Sequence, residues 1–496
     1  MPKACYLLTL LLLCVLFPLL AQPPVQPIRL ELPFLPEDTE AEVIALPDSS
    51  LLVYHKTSNT WETKATFHFT KYDHKLEEVW SDTAKLNPDS DYIRYYTEQP
   101  YTYIVYGGDN LQKYTFLRLH NKTGNIWHKR FEIEQIEAIY EYNVLNGNYF
   151  VIGRSKKDQK PLLLHLTPAS SEIKILPSVY GDQSTFSDLL ADPEQGRVDA
   201  ILTESNGRIS RLQVKSFDAQ GELLKNYFIL QKDDKSLLNA EITPGDSTQK
   251  MLLGTYGTRD LRYNQGFFTA PLASRVVEGE FYNMLQLKNF LKYLKPRREE
   301  RTRRREAERL RSGRRPGYRY RLLLHDLITT PTGYVLAAEA YYPQYNNTSS
   351  GNFGFDRTLN TFRRTQQEGY KRTHAVVLGF DKNGILLWDN TFPLSNVTTP
   401  ELTHAVELQR FPDGRIIMAY PEDNKIIYHL MEEDRYDDEE TELEISTYQE
   451  DDKVQDSYQP GIIRWYGNHM AAFGFHRVKP KNGDNRMIFY INKISF

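Results

Sequence analysis

The feature that most constrains this chain is a turn phrase that keeps returning along it. It is clearest at Phe380-Asp381-Lys382-Asn383-Gly384-Ile385-Leu386-Leu387-Trp388, where an apolar strand runs into Asp and Gly and a second apolar strand leaves toward an aromatic residue. Phe217-Asp218 with Gly221 and Leu223 repeats it before Phe228, and Leu119-His120-Asn121 with Gly124 and Trp127 repeats it before Phe131. Tyr72-Asp73-His74-Lys75-Leu76 with Trp80 is a version lacking the glycine. Asp or Asn bonds its own backbone two residues on, and Gly supplies positive φ without steric cost, so each copy encodes a tight hairpin. Recurrence at one structural position marks a repeat architecture.

A second phrase precedes the first. Glu42-Val43-Ile44-Ala45-Leu46-Pro47 is followed by Leu51-Leu52-Val53-Tyr54, Leu327-Ile328 by Tyr334-Val335-Leu336 after Gly333, and Val406-Glu407-Leu408 by Ile416-Ile417-Met418 after Gly414. The two phrases together make four short strands, which is one blade of a β-propeller. The pattern predicts an all-β fold, a single closed propeller of four-stranded blades with one basic helical insertion. Blades begin near residues 42, 98, 138, 186, 240, 322, 404 and 460, giving eight, with seven as the alternative. The last blade shows three strands before the chain stops, and residues 27–32 alternate like a strand without a partner of their own. Pairing the two ends would abolish the open sheet edges of the ring.

The 496 residues divide into an expected signal peptide at 1–21 and a propeller domain at 22–496. Lys3, the apolar run from Tyr6 to Leu20 and the small residue Ala21 have the layout of a secretory leader, and the run is shorter than the roughly 20 residues of a spanning helix. The expected location is therefore exported: periplasmic, cell-envelope or extracellular. No later stretch is apolar and long enough to cross a membrane as a helix. Both cysteines, Cys5 and Cys14, lie in the leader. A mature chain without cysteine has no disulfide, no thiolate metal site and no cysteine nucleophile. Lipid attachment at Cys14 would need a small residue before it, and Leu13 stands there.

The spacing Asp381-x-x-Gly384-x-x-x-Trp388 resembles the tryptophan-docking motif of quinoprotein-like propellers, and the overall layout resembles secreted propellers common in Bacteroidetes. The resemblance implies a ring of four-stranded blades over most of the mature chain. It carries over no cofactor site, because the vicinal cysteine pair and the calcium-binding Glu, Asn and Asp set of the quinone-dependent members have no counterpart here. No cofactor and no metal are expected. Trp388 and Trp127 are read as packing between blades.

The sequence holds no nucleophile elbow, His-Glu-x-x-His helix, phosphate loop, dinucleotide fingerprint or regular calcium loop. No catalytic residue is assigned. If a site exists, the innermost strands that line the central channel should hold it. There the sixth blade offers His325 and Asp326 with Glu339 on the next strand, while His374 and His404 stand in twin Thr-His-Ala-Val phrases. Histidine and carboxylate facing a channel suit acid and base work. The competing reading is structural, since buried polar groups are normally paired.

The charge is segregated. Between Lys288 and Arg321 stand 15 Lys and Arg against four Glu, a net of +11; the whole chain is −4, so the remainder carries −15. Leu287, Phe290, Leu291 and Leu294 recur at helical steps, which predicts a helix over 281–295 laying an apolar stripe on the ring. Pro296 breaks or restarts it, and the run from Arg297 to Arg311, ended by Gly313 and Pro316-Gly317, buries no face of its own. Residues 286–318 thus read as a helical insertion dispensable for folding. Arg303, Arg304, Arg305 and Arg309 on it are binding candidates, together with His325, Glu339 and His404 at the channel. Residues 432–452 form an acidic loop with 12 acids against Arg435. Propeller topology places this loop and the basic insertion on opposite faces. A long polar loop at 343–372, with basic Arg363, Arg364, Lys371 and Arg372, falls on the same face as the insertion, and long loops on a rigid ring are where binding is usually found.

The reading that follows is an exported, non-enzymatic propeller that presents a basic face to a protein or an anionic envelope polymer. The alternative is a glycan hydrolase or lyase acting at the channel mouth. Nucleic acid is not an expected partner, because export places the chain away from it. Oligomeric state has no signal in the sequence.

Overall fold

The computed structural model describes residues 23–37, 39–57, 63–87, 90–107, 112–177, 184–229, 235–246, 249–258, 260–272, 279–347, 365–395, 397–433, 435–436, 441–449 and 451–496. The expected leader at 1–21 lies outside them. Eight sheets follow one another along the chain, each an antiparallel meander of four principal strands. Blades one to seven cover 39–86, 91–132, 136–175, 185–229, 236–283, 321–393 and 407–444, and blade eight covers 453–495. The first strands of neighbouring blades touch around the ring and line its channel. The ring closes as the unpaired end strand suggested: Val25–Leu32 pairs antiparallel with Arg486–Ser495, Leu30 opposite Ile491, as the outer strand of blade eight. Arg29 donates to the Ser446 carbonyl at 2.7 Å and to Asn492 Oδ1 at 2.8 Å, tying that strand to the link between blades seven and eight.

Each of the eight hydrophobic clusters sits between two neighbouring blades. The turn phrase explains how successive blades lock. Gly124 has φ 75°, and a Cβ there would stand 2.8 Å from the Trp80 indole of the preceding blade, whose Nε1 donates to the Asn121 carbonyl at 3.1 Å. His165 lies on Gly221 in the same way and Thr269 donates to the Gly384 carbonyl at 2.8 Å, so a side chain of one blade docks on the next blade's turn. In the copy lacking glycine, Leu76 itself takes φ 61°. Trp388 packs across the Gly379 backbone against the cluster between blades six and seven. Trp127 does not pack between blades as expected: it is 37% exposed, with Arg118 over its ring, because Trp80 and not Trp127 occupies the dock at that junction.

The insertion departs from the expectation in two ways. Residues 281–283 belong to the outer strand Glu280–Asn283 of blade five, and 284–295 form irregular turns rather than a helix. The Asp389 carboxylate of blade six accepts the Lys288 and Asn289 N–H groups at 2.7 and 2.6 Å, taking donors that a helix would spend internally. Leu287, Phe290 and Leu291 then enter the core between blades five and six with Met284 and Tyr318, so the segment packs as part of the ring rather than lying on its surface. The helix starts afresh at Pro296 and spans Pro296–Arg311, with proline in the first turn, where its missing N–H costs nothing.

The described ends of the loop expected at 343–372, residues 343–347 and 365–372, are paired strand. Gly333–Asn347 and Thr365–Asp381 continue as a long hairpin arm of blade six, with Tyr341 opposite Arg372 and Asn347 opposite Thr365. The tip, with Arg363 and Arg364, lies outside the described residues. Arg372 is not a surface cation but 1% exposed. Nor do insertion and acidic run keep apart. Tyr436 Oη donates to the Lys292 carbonyl at 3.3 Å, and Asn390 Nδ2 donates to the Glu433 and Arg435 carbonyls, because residues 284–295 run beside the outer strand of blade six until they meet 433–436. The contact is a side-chain hydroxyl on a carbonyl and involves no pair of charges. Among the described residues, the acids of 432–452 pair with Arg435, Lys425, Lys481 and Arg486, and none reaches a helix arginine.

Candidate functional site

At the end of the first strand of blade six the structure brings His325, Glu339 and His404 together. Glu339 is fully buried, and both of its oxygens are occupied. Oε1 accepts from His325 Nε2 at 3.0 Å, Ala405 N at 2.9 Å and Val406 N at 3.0 Å, while Oε2 accepts from Arg372 Nε at 2.9 Å. Burial alone would raise this carboxyl. The His325 hydrogen bond, the potential of His325 and His404 and the Val406 N–H outweigh it and hold the pKa at about 2. His404 stacks on His325 with ring centroids 4.1 Å apart and donates from Nε2 to the Leu324 carbonyl at 2.6 Å. The residue keeps an edge open to the channel, but the crowding around its ring and then His325 lower its pKa to about 4, with Glu339 opposing. A carboxylate this acidic and this saturated takes up no proton near neutrality. The three side chains form a brace joining blade six to the link that enters blade seven. His374, in the twin phrase, is elsewhere: it stacks on Tyr293 at 3.8 Å in the core between blades five and six, and burial lowers its pKa to about 3.

Beside the brace the channel opens into a cavity of about 970 Å³, walled by blades two to six. Asp188 from the first strand of blade four, Glu241 from that of blade five and Asp326 after that of blade six all line it. Asp188 accepts from Ile242 N–H at 3.3 Å. Glu241 is 8% exposed and accepts no hydrogen bond from any described residue. Burial, then repulsion from Asp326, push Asp188 up to about 7; burial, then Asp188 and Asp326, also raise Glu241. Tyr92, Tyr140 and the Arg94–Glu141 ion pair complete the wall. A carboxyl kept protonated near neutrality in an open cavity can donate a hydrogen bond or a proton, and when ionised it favours a cation. No group of His, Cys, Asp and Glu among the described residues is arranged to hold a metal ion.

Asp188 also gives a pH test. A folded-state pKa above the unfolded value stabilises the fold below about pH 4 and loses that contribution as pH rises through 7. Asp188→Asn is therefore expected to raise the thermal midpoint by several degrees at pH 8 and by much less at pH 5. Thermal unfolding of the two proteins at both pH values checks this, and an equal gain at both would contradict it.

The four arginine candidates fall on the helix Pro296–Arg311, away from the brace. Arg303 is tied down: it donates to the Leu285 and Leu287 carbonyls at 3.2 Å, to the Lys288 carbonyl at 2.8 Å and to Glu299 at 2.9 Å. Glu306 is wholly buried and accepts from the Gly317 N–H at 2.5 Å and from Arg305 Nε at 3.1 Å. Arg309 donates to the Arg315 carbonyl at 3.1 Å. Arg304 and Arg305 are exposed, as are Arg297, Arg298, Arg301, Arg311 and Arg314.

No family model matches the chain, and no curated protein matches it. Among solved structures it is similar to the polysaccharide lyase Uly1, at 9% identity over 82% of this chain and 90% of that one, with a TM-score of 0.41. It is also similar to a variant of Synechocystis apocarotenoid oxygenase, at 10% identity over 47% of this chain, with a TM-score of 0.32. The chain spans 61% of the length of that oxygenase. At these identities and scores the likenesses bear on neither reaction nor ligand.

Sequence reasoning found the brace residues but missed Asp188 and Glu241, which stand in three-residue settings with no motif. No shared position marks them: Asp188 follows directly on the bulge of its strand, whereas Asn239 holds that place in blade five and Glu241 stands two residues further on. It missed Arg372 as the partner of Glu339, because the segment carrying it reads as a polar loop.

Proposed function

We propose that this protein is an exported, non-enzymatic binding module that presents the helix Pro296–Arg311 to an anionic partner, a protein or a polymer of the cell envelope. The observation that carries the reading is the sorting of charge on that helix. Two of its four acids, Glu299 and Glu306, are spent inward, on Arg303 and on the Gly317 N–H, so that Arg297, Arg298, Arg301, Arg304 and Arg311 outnumber Glu300 and Glu308 among its exposed charges. The helix is held to the ring by Arg303, so the positive face is presented in a fixed orientation. Preorganisation of this kind reduces the entropic cost of association. Of the nearby acidic run, Glu432, Glu442, Asp451 and Asp452 pair with Arg435, Lys425, Lys481 and Arg486 rather than with the helix.

The tryptophan-docking resemblance supports the reading at the level of a rigid ring, with Trp80 seated on the Gly124 turn, and supplies no cofactor. The alternative, a glycan hydrolase or lyase at the channel mouth, draws on Asp188 and Glu241. It finds no help from Glu339, whose oxygens are saturated.

The test compares the chain from residue 22 with its Arg301→Ser, Arg304→Ser, Arg311→Ser triple variant on immobilised heparin. The parent should elute at distinctly higher salt, with thermal midpoints within a few degrees of each other. Elution of both at the same salt would reject the helix as the binding face.

A further inference from the structure

We propose that the channel cavity bounded by Asp188, Glu241 and Asp326 binds a ligand carrying a primary ammonium group, an aliphatic polyamine or an amino sugar. Three observations converge. Glu241 is more than nine-tenths buried, lines the cavity and accepts no hydrogen bond from a described residue, so its carboxylate is left for something the protein does not supply. The cations around the channel are spent on other groups, except that Arg464 also reaches Asp326. Arg94 holds Glu141, Arg464 lies 3.5 Å from Glu407 and 3.9 Å from Asp326, Arg262 holds Asp260 and Arg321 lies over the Tyr263 ring. His404 is committed to the Leu324 carbonyl. The acids come from three blades and form no metal cage, whereas an ammonium needs one carboxylate in contact and gains from others several Å away.

The rest of the wall suits such a ligand. Tyr92 and Tyr140 offer aromatic faces to an alkyl chain, a sugar ring or the cation itself. A volume of about 970 Å³ admits a spermidine or a short oligosaccharide.

Binding requires the acids ionised. Because the fold pushes Asp188 up to about 7 and raises Glu241 as well, a cation displaces protons as it enters. Calorimetric titration of the full chain at pH 8 with spermidine, with a glucosamine tetramer and with magnesium reads this directly. One of the two amines should bind at least tenfold tighter than magnesium, at least tenfold tighter at pH 8 than at pH 5, and with proton release at pH 7. Whichever amine binds identifies the source. Glu241→Gln should weaken it tenfold or more; Asp188→Asn, which keeps the bond from the Ile242 N–H, is the second variant if the first unfolds. Absence of binding by both amines at millimolar concentration, parity with magnesium, or unchanged affinity in both variants would overturn the proposal.

Discussion

Glu339→Ala is expected to destabilise the ring by about 3–5 kcal/mol, the loss typical of removing one member of a buried ion pair. The substitution strands the Arg372 guanidinium, itself fully buried, and frees the Ala405 and Val406 N–H groups inside the protein. Each of these groups was desolvated on folding, so its lost partner is not replaced by water. Glu339→Gln keeps the shape and the acceptor oxygen but loses the charge, and should fall between. Because the folded-state pKa of about 2 lies below the unfolded value of 4.5, the parent holds this contribution above about pH 4.5 and loses it as pH falls toward 2. The gap between parent and alanine variant in urea unfolding should therefore be widest at neutral pH and narrow in acid. A gap that stayed constant down to pH 2.5 would mean the carboxylate charge is not what holds the brace.

Deleting residues 286–318 should abolish the folded ring rather than trim it. The deletion removes Leu287, Phe290, Leu291 and Tyr318 from one of the eight interblade cores and takes away the backbone that Asp389 caps. Phe290→Ala alone is expected to cost about 3–5 kcal/mol, since the ring is fully enclosed and the wedge between two blades cannot collapse to fill the space. Arg304→Ser, on the exposed face of the same insertion, should change stability by less than about 0.5 kcal/mol. Circular dichroism and size-exclusion profiles of the deletion decide the matter. A monomeric, cooperatively unfolding deletion protein would return the insertion to the status of a surface appendage.

The contrast between those two substitutions shows where the sequence speaks and where it falls silent. The blades were legible because a turn has local grammar: Asp218 with Gly221 and Asp381 with Gly384 specify a hairpin whatever surrounds them. The closing strand was legible because an alternating segment with no hairpin partner must find a remote one. The spacing of Leu287, Phe290 and Leu291 was ambiguous, since three-and-four steps serve a helix and equally a turn that presses successive side chains into one wedge. What decides is Asp389, a hundred residues away. The same distance hides the sites. Glu306 is buried in a run of arginines because the Gly317 N–H waits beneath it, and Asp188 and Glu241 meet only because the ring brings blades four and five side by side. Long-range pairing of single side chains leaves no local signature in a sequence, whereas turn chemistry does.

The most direct test of the binding reading is the affinity of the chain from residue 22 for heparin, measured by equilibrium titration across a series of salt concentrations. Release of screening counterions makes log affinity fall with log salt in proportion to the number of charges engaged. The parent is predicted to show a steep fall, and the triple replacement of Arg301, Arg304 and Arg311 by serine a shallower one, with the channel variant Glu241→Gln following the parent. A parent affinity indifferent to salt, or a triple variant with the parent's slope, would contradict the account.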